Sequence, residues 1–233
     1  QRRQDLRRTP RDGRKVAGMT AKEITDWSEG IWSLNHSGVG PTYTYNERLR
    51  LTEVALENVP QGGTIVEIGV YAGSSLSCLL QVARLKKARV FCVDPFLYNG
   101  AEAEMHLRTV LCQFPDVNWR FYPTRSETAW HCLWEDGSLR SDFDLIHIDG
   151  DHLDCARDCE LWLPYLKQGG IAAFHDVIPD QRSSIYQVYL DVEKYTAKWP
   201  TLFWAKDENC QCIRRKQRPP LYSQPGRGGA CSP

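Results

Sequence analysis

The sequence predicts an α/β fold: a mostly parallel sheet with helices on both faces, closed by an antiparallel C-terminal strand. Three observations predict it. From Thr64 onward short apolar runs alternate with helical patterns, as right-handed βαβ units require. Several of the runs stop in acidic groups: residues 89–94 at Asp94, residues 144–149 at Asp149, and residues 171–175 just before Asp176. Polar groups at the carboxyl ends of parallel strands lie where open sheets of this kind bind ligands. The last two strand-like runs, residues 201–205 and 211–214, are joined by too few residues for a crossover helix. They form an antiparallel hairpin at one end of the sheet.

Taken in order, residues 1–19 are polar and Arg-rich, with Pro10, Gly13 and Gly18, and read as a disordered basic segment. Thr20 with Glu23 three residues later is a capping box, so a helix begins at Ala21 and runs to about Trp32. Residues 36–42 are a loop rich in breakers; with Tyr43 and Tyr45 they form a candidate lid or an ordinary solvated connection. A second helix, 46–58, places Leu49, Leu51, Val54, Ala55 and Leu56 at helical spacing, and Pro60 to Gly63 ends it. Residues 20–60 thus read as an N-terminal helical cap.

The main domain spans residues 61–216. Its strands are expected at 64–69, 89–94, 118–122, 144–149 and 171–175, followed by the hairpin. Its helices start near Leu76 and then cover 101–114, 127–134, 155–166 and 183–198, with residues 167–170 as a connection. Residues 217–233 form a Pro/Gly tail.

The 233 residues, 42% apolar and 25% charged, fit one large soluble domain or a domain with appendages. No apolar run has the length of a membrane span, and no signal-peptide core follows the basic start. The expected location is the cytoplasm; the chain does not begin with Met, so an already removed organellar leader is compatible with it. Net charge is zero although both ends are basic, which leaves the middle acidic by about ten charges. Basic ends could touch RNA or anionic lipid; solvated tails are the plainer reading, and no base-flipping motif of the NPPY type occurs. The nine cysteines lack zinc-site spacing and read as reduced thiols, several inside apolar patterns. A homodimer is compatible with the sequence.

The chemistry gathers at the strand ends. Glu67-Ile-Gly69-Val-Tyr71-Ala-Gly73 is a glycine-rich turn that lets a ligand approach the backbone, ahead of a helix N-terminus with free N–H groups. Asp94, about twenty-five residues on, suits a ribose diol. The pyrophosphate-binding G-x-G-x-x-G is missing, so an adenosyl ligand without pyrophosphate fits better than a dinucleotide.

With EIGVYAGSS, VFCVDPF and FDLIHIDGDH…ELWLPYLKQGGIAAFHDV in this order, residues 62–178 resemble a class I S-adenosylmethionine-dependent methyltransferase. The last motif is similar to the small-molecule O-methyltransferase branch of macrocin-type and cephalosporin-biosynthesis enzymes, and more distantly to catechol O-methyltransferase. The resemblance implies a Rossmann-like seven-stranded sheet and an enzyme that methylates a hydroxylated small molecule. It places Glu67, Gly69 and Gly73 against the methionine end of the cofactor, Asp94 on the ribose and Ser126 near the adenine, with Tyr71, Ser74, Ser75 and Asp149 among its other contacts. It also implies Mg²⁺ held by Asp149 and Asp176. Where catechol methyltransferases carry Asn after the second Asp, this chain has Val177, leaving Asp151 or water as the third ligand. His152 stands where relatives carry a general base; the alternative is a His that caps the following helix. His175 touches a metal ligand or the substrate, or is a packed strand-end His. His147 and Trp162 are expected in the core. Residues 179–182, Tyr98 and Trp130 are candidate walls of the acceptor pocket. The competing functions are a nucleic-acid methyltransferase and a catalytically silent cofactor-binding module.

Overall fold

The computed structural model describes residues 18–34, 43–97, 100–138, 143–204 and 211–217. The expected basic segment up to residue 17, the loop 36–42, Tyr98 and the tail from 218 lie outside the described residues. Two helices open the fold, α1 (Ala21–Leu34) and α2 (Tyr45–Asn58). Then follow β1 (Thr64–Ile68), α3 (Ser74–Lys86), β2 (Arg89–Val93), α4 (Gly100–Leu111), β3 (Asn118–Tyr122) and α5 (Ser126–Glu135). The second half runs β4 (Phe143–Ile148), α6 (Cys155–Trp162), β5 (Leu166–Phe174), α7 (Tyr186–Thr196), β6 (Thr201–Trp204) and β7 (Cys212–Arg215).

The seven strands lie in the order β3-β2-β1-β4-β5-β7-β6, with β7 antiparallel to both of its neighbours. The expected sheet and its terminal hairpin are therefore present. Strand residues alternate between two apolar layers, so the strands read as nearly unbroken hydrophobic runs. Ile65, Val90, Leu145 and Ile171 pack with α1 to α4 on one face. Val66, Phe91, Ile146 and Phe174 pack with α5, α6 and α7 on the other.

Among the departures from the expected bounds, two have identifiable reasons. Helix α6 stops at Trp162 rather than running to residue 166, because Pro164 cannot donate the next helical hydrogen bond; a single 3₁₀ turn, Leu163–Tyr165, follows. Residues 167–170 belong to β5 rather than to a connection. The Gly169 amide donates to the Lys216 carbonyl (2.9 Å) and the Lys216 amide to the Gly170 carbonyl (2.9 Å), so a strand far along the chain recruits a Gly-rich segment that has little strand propensity of its own.

Both capping boxes at the N-terminal helices are made. Glu23 accepts the Thr20 amide (2.8 Å) while Thr20 Oγ1 accepts the Glu23 amide (3.3 Å). Thr44 and Glu47 repeat the arrangement at α2.

Candidate active site

Strand order reverses between β1 and β4, whose carboxyl ends open side by side. After β1 the chain turns through Gly69 (φ +81°), Tyr71 (φ +44°) and Gly73 (φ +86°) into α3. The Tyr71 amide donates to Asp94 Oδ2 (2.7 Å) and the Phe96 amide to Asp94 Oδ1 (2.6 Å). Each carboxylate oxygen of Asp94 is thus held by the backbone at the tip of β2. Burial pushes this carboxyl above the usual carboxylate range, against the pull of those amides.

A cleft of about 730 Å³ opens here, lined by Gly69, Tyr71, Asp94, Ser126, Asp149, Asp151, His152 and Asp176, all expected from the sequence. Asp158, His175, Arg125 and Arg157 join them in its wall. The other expected cofactor contacts, Glu67, Gly73, Ser74 and Ser75, do not line the cleft; their contacts run inward. Glu67 is fully buried and accepts from Ser75 Oγ and from His147 Nδ1 (2.8 Å). Ser74 Oγ accepts from Arg48 Nη1 of α2 (2.9 Å), and a side chain at Gly73 would press on Leu107 and Val110.

The far end of the cleft lies at the tips of β4 and β5. His152 Nε2 lies 2.9 Å from Asp176 Oδ2. His175 Nδ1 lies 3.2 Å from Asp149 Oδ1 and 3.2 Å from Asp176 Oδ2, and its Nε2 lies 3.5 Å from Glu47 Oε1. Asp176 takes a left-handed backbone conformation (φ +57°), uncommon for a residue with a side chain and found chiefly at functional sites. Burial alone would lower the His175 pKa, but Asp149, Asp176 and Glu47 together push it up to about 12. Burial would raise Asp176, yet His152 and His175 hold it well below the usual carboxylate range. His152 is raised, chiefly by its hydrogen bond to Asp176.

Asp149, His175 and Asp176 each offer one donor atom, all within 4.8 Å of one another. Asp151, expected as the third oxygen, stands outside this group and accepts the Leu153 amide instead (3.0 Å).

At the other end Trp162 Nε1 donates to Ser126 Oγ (2.7 Å). With its oxygen so engaged, the Ser126 hydroxyl is left to donate to Asp158, the bond that partly offsets burial; burial itself raises the Asp158 carboxyl from 3.8 to about 7.

Tyr43, read as part of a lid, is instead buried, stacked on His175 with ring centroids 4.0 Å apart. Its hydroxyl donates to His147 Nε2 (2.6 Å), so His147 donates from Nδ1 to Glu67 and is buried as expected. Tyr45 Oη donates to Asp26 of α1 (2.6 Å). Trp130 stacks on Trp134 and is not in the cleft wall, nor are residues 179–182. Trp162 is buried in the core as expected. Sequence reasoning missed Glu47 and Asp158. The Thr44-x-x-Glu47 capping box was a readable signal for the first as a helix start, though not as a neighbour of His175. Nothing local separates Asp158 from a solvated helical Asp.

Residues 66–177 match the family described as "Methyltransferase domain". That span is similar to methyltransferase domains, and the seven-stranded sheet is the Rossmann-like methyltransferase fold. The matched span begins in β1 and ends just after β5, so it holds the Gly69–Gly73 turn, Asp94, Ser126, Asp149, His152, His175 and Asp176, while α1, α2 and the hairpin lie outside it. An uncharacterised protein of Acanthamoeba polyphaga mimivirus is 30% identical over 117 residues, 48% of this chain and 51% of the relative. The chain therefore spans about half the length of that curated relative. Among solved structures, the methyltransferase fold matches an O-methyltransferase from Bacillus cereus in complex with S-adenosylhomocysteine. That match has a TM-score of 0.59 and 16% identity, over 82% of this chain and 91% of the other. It also matches the O-methyltransferase TomG from Streptomyces achromogenes, involved in tomaymycin synthesis and bound to S-adenosylmethionine. Here the TM-score is 0.59 with 14% identity, over 83% and 90% of the two chains. Among the described residues no helix is long and apolar enough to cross a membrane.

Proposed function

We propose that the chain transfers the methyl group of S-adenosylmethionine to a hydroxyl of a small acceptor. The observation that carries this reading is the convergence of His152, Asp149 and Asp176 on one cleft that also holds Asp94 and Ser126. Similarity to O-methyltransferases, two of them solved with the cofactor or its product, supports it. The cofactor, when bound, supplies an electrophilic methyl on its sulfonium.

The chain's own residues do the rest. Asp94 accepts the ribose hydroxyls, and Gly69 lets the ligand approach the backbone between β1 and β4. Ser126 and Asp158 border the base. His152 has Nε2 committed to Asp176, which leaves Nδ1 to take the acceptor proton, and Asp176 then steadies the imidazolium. Two carboxylates and an imidazole within 4.8 Å of one another fit a divalent cation in donor type and spacing. Asp149 and Asp176 would hold it, and it would lower the pKa of a bound hydroxyl. Positioning and a deprotonated nucleophile account for most of such a reaction.

The test is methyl transfer from labelled cofactor to a panel of hydroxylated small molecules, with and without chelator. Transfer to at least one member, loss on chelation, and a turnover fall of roughly 100-fold or more in His152→Ala with cofactor affinity kept are expected. Full activity in chelator removes the cation from the scheme; unaltered turnover in His152→Ala removes the base.

A further inference from the structure

We propose that His175, oriented by Glu47, is the third protein donor of the cation site, and that the site therefore takes Mn²⁺ or a later first-row divalent ion in preference to Mg²⁺. This rests on the proposed cation site and concerns which ion it selects.

Mg²⁺ favours near-octahedral oxygen surroundings, whereas imidazole nitrogen shifts preference toward the later divalent metals. The donor group here is two carboxylates and one imidazole, not three oxygens. Among the described residues, the two sequence positions that could have supplied an oxygen in place of the nitrogen do not. Val177, directly after Asp176, is fully buried and apolar, and Asp151 is turned to the Leu153 amide.

His175 is built as a ligand rather than as surface. It is 4% exposed, its ring lies flat against Tyr43, and Nδ1 faces Asp149 and Asp176. Behind it, Glu47 is also 4% exposed. Glu47 Oε2 is occupied by the Thr44 amide (2.9 Å) and hydroxyl (2.8 Å), while Oε1 has no hydrogen-bond partner and lies 3.5 Å from His175 Nε2, which has none either. A carboxylate behind the outer nitrogen of a histidine is the usual way a metal-binding ring is oriented and made more basic. The α2 capping box thus has a second use: the oxygen it leaves over faces the ring.

The experiment titrates the metal-free chain with Mn²⁺ and with Mg²⁺ by calorimetry, and records pulsed electron paramagnetic resonance of the Mn²⁺ complex. Expected are at least tenfold tighter binding of Mn²⁺ and a nitrogen hyperfine coupling that survives in His152→Ala. In His175→Asp the coupling should vanish and the Mn²⁺ to Mg²⁺ affinity ratio should fall. In Glu47→Gln, Mn²⁺ should bind about 10- to 100-fold more weakly with the coupling retained, a readout that holds even if His175→Asp does not fold. Binding of Mn²⁺ without nitrogen coupling, or with equal affinity for Mg²⁺, overturns the inference and leaves the cation reading standing. No binding of either ion overturns both.

Discussion

The main-chain carbonyl of Asp149 occupies the space that any side chain at Gly69 would need: a Cβ there would lie 1.8 Å from the Asp149 oxygen. With φ at +81°, position 69 is closed to other residues by backbone conformation and by space at once. This contact sets the spacing between the β1 and β4 tips and hence the mouth of the cleft. Gly69→Ala is expected to destabilise the fold by roughly 3 kcal/mol or more and to abolish cofactor binding. Thermal unfolding checks the first and calorimetry with S-adenosylhomocysteine the second; a variant of native stability would mean that β1 and β4 are not packed this closely.

Asp94, the proposed ribose contact, is a carboxylate whose two oxygens are already steadied by the Tyr71 and Phe96 amides. Asp94→Asn presents an NH₂ group where an acceptor is needed. Affinity for S-adenosylhomocysteine should fall about 10- to 100-fold, the worth of a charge-assisted hydrogen bond. Equal affinity in wild type and variant would put the ribose elsewhere.

His152 and Asp176 form an ion pair that favours the protonated ring. In the metal-free protein, NMR titration should find the His152 pKa above that of a free histidine, and Asp176→Asn should bring it down. Because a base must first lose its proton, the rising limb of turnover with pH should follow this group. A His152 that titrates identically in both proteins would show that the pair does not form in solution.

Asp158 gives stability a pH dependence of a stated sign. Its folded pKa of about 7 stands above the ordinary 3.8, so the folded state holds a proton that the unfolded chain releases. The contribution is fully present below 3.8 and is lost as pH rises to about 7, by at most on the order of 4 kcal/mol. Asp158→Asn keeps an oxygen for the Ser126 hydroxyl and removes the titration. Its melting temperature should gain on wild type between pH 4 and pH 7 and hold that margin above. A constant margin across the range would mean that Asp158 is ionised throughout.

Much of this was legible in the amino-acid order because it depends on local rules. Alternation of apolar strands with amphipathic helices gives a parallel sheet, and the short link between the last two strands forces a hairpin. The acids at strand ends, Asp94, Asp149 and Asp176, were recognisable because a charge directly after a buried run has to emerge at the sheet edge. Pro164 and the residue 167–170 segment show the limit. The stop at α6 could have been read from the proline, but the extension of β5 depends on Lys216, some fifty residues away.

What the sequence by itself determined is therefore the fold, the edge of the sheet at which the cleft opens, and eight residues that line it, from Gly69 to Asp176. The tertiary structure alone decided which side chains serve that cleft from outside the strand-end motifs. Glu47 stands behind His175 and Tyr43 stacks on it, whereas Glu67, a strand-end residue, turns away from the cleft to His147 and Ser75. A residue's place along its own strand or helix follows from backbone geometry, which neighbours in the chain dictate. Which distant side chain fills the space opposite it follows from close packing of the whole, and no local pattern encodes that.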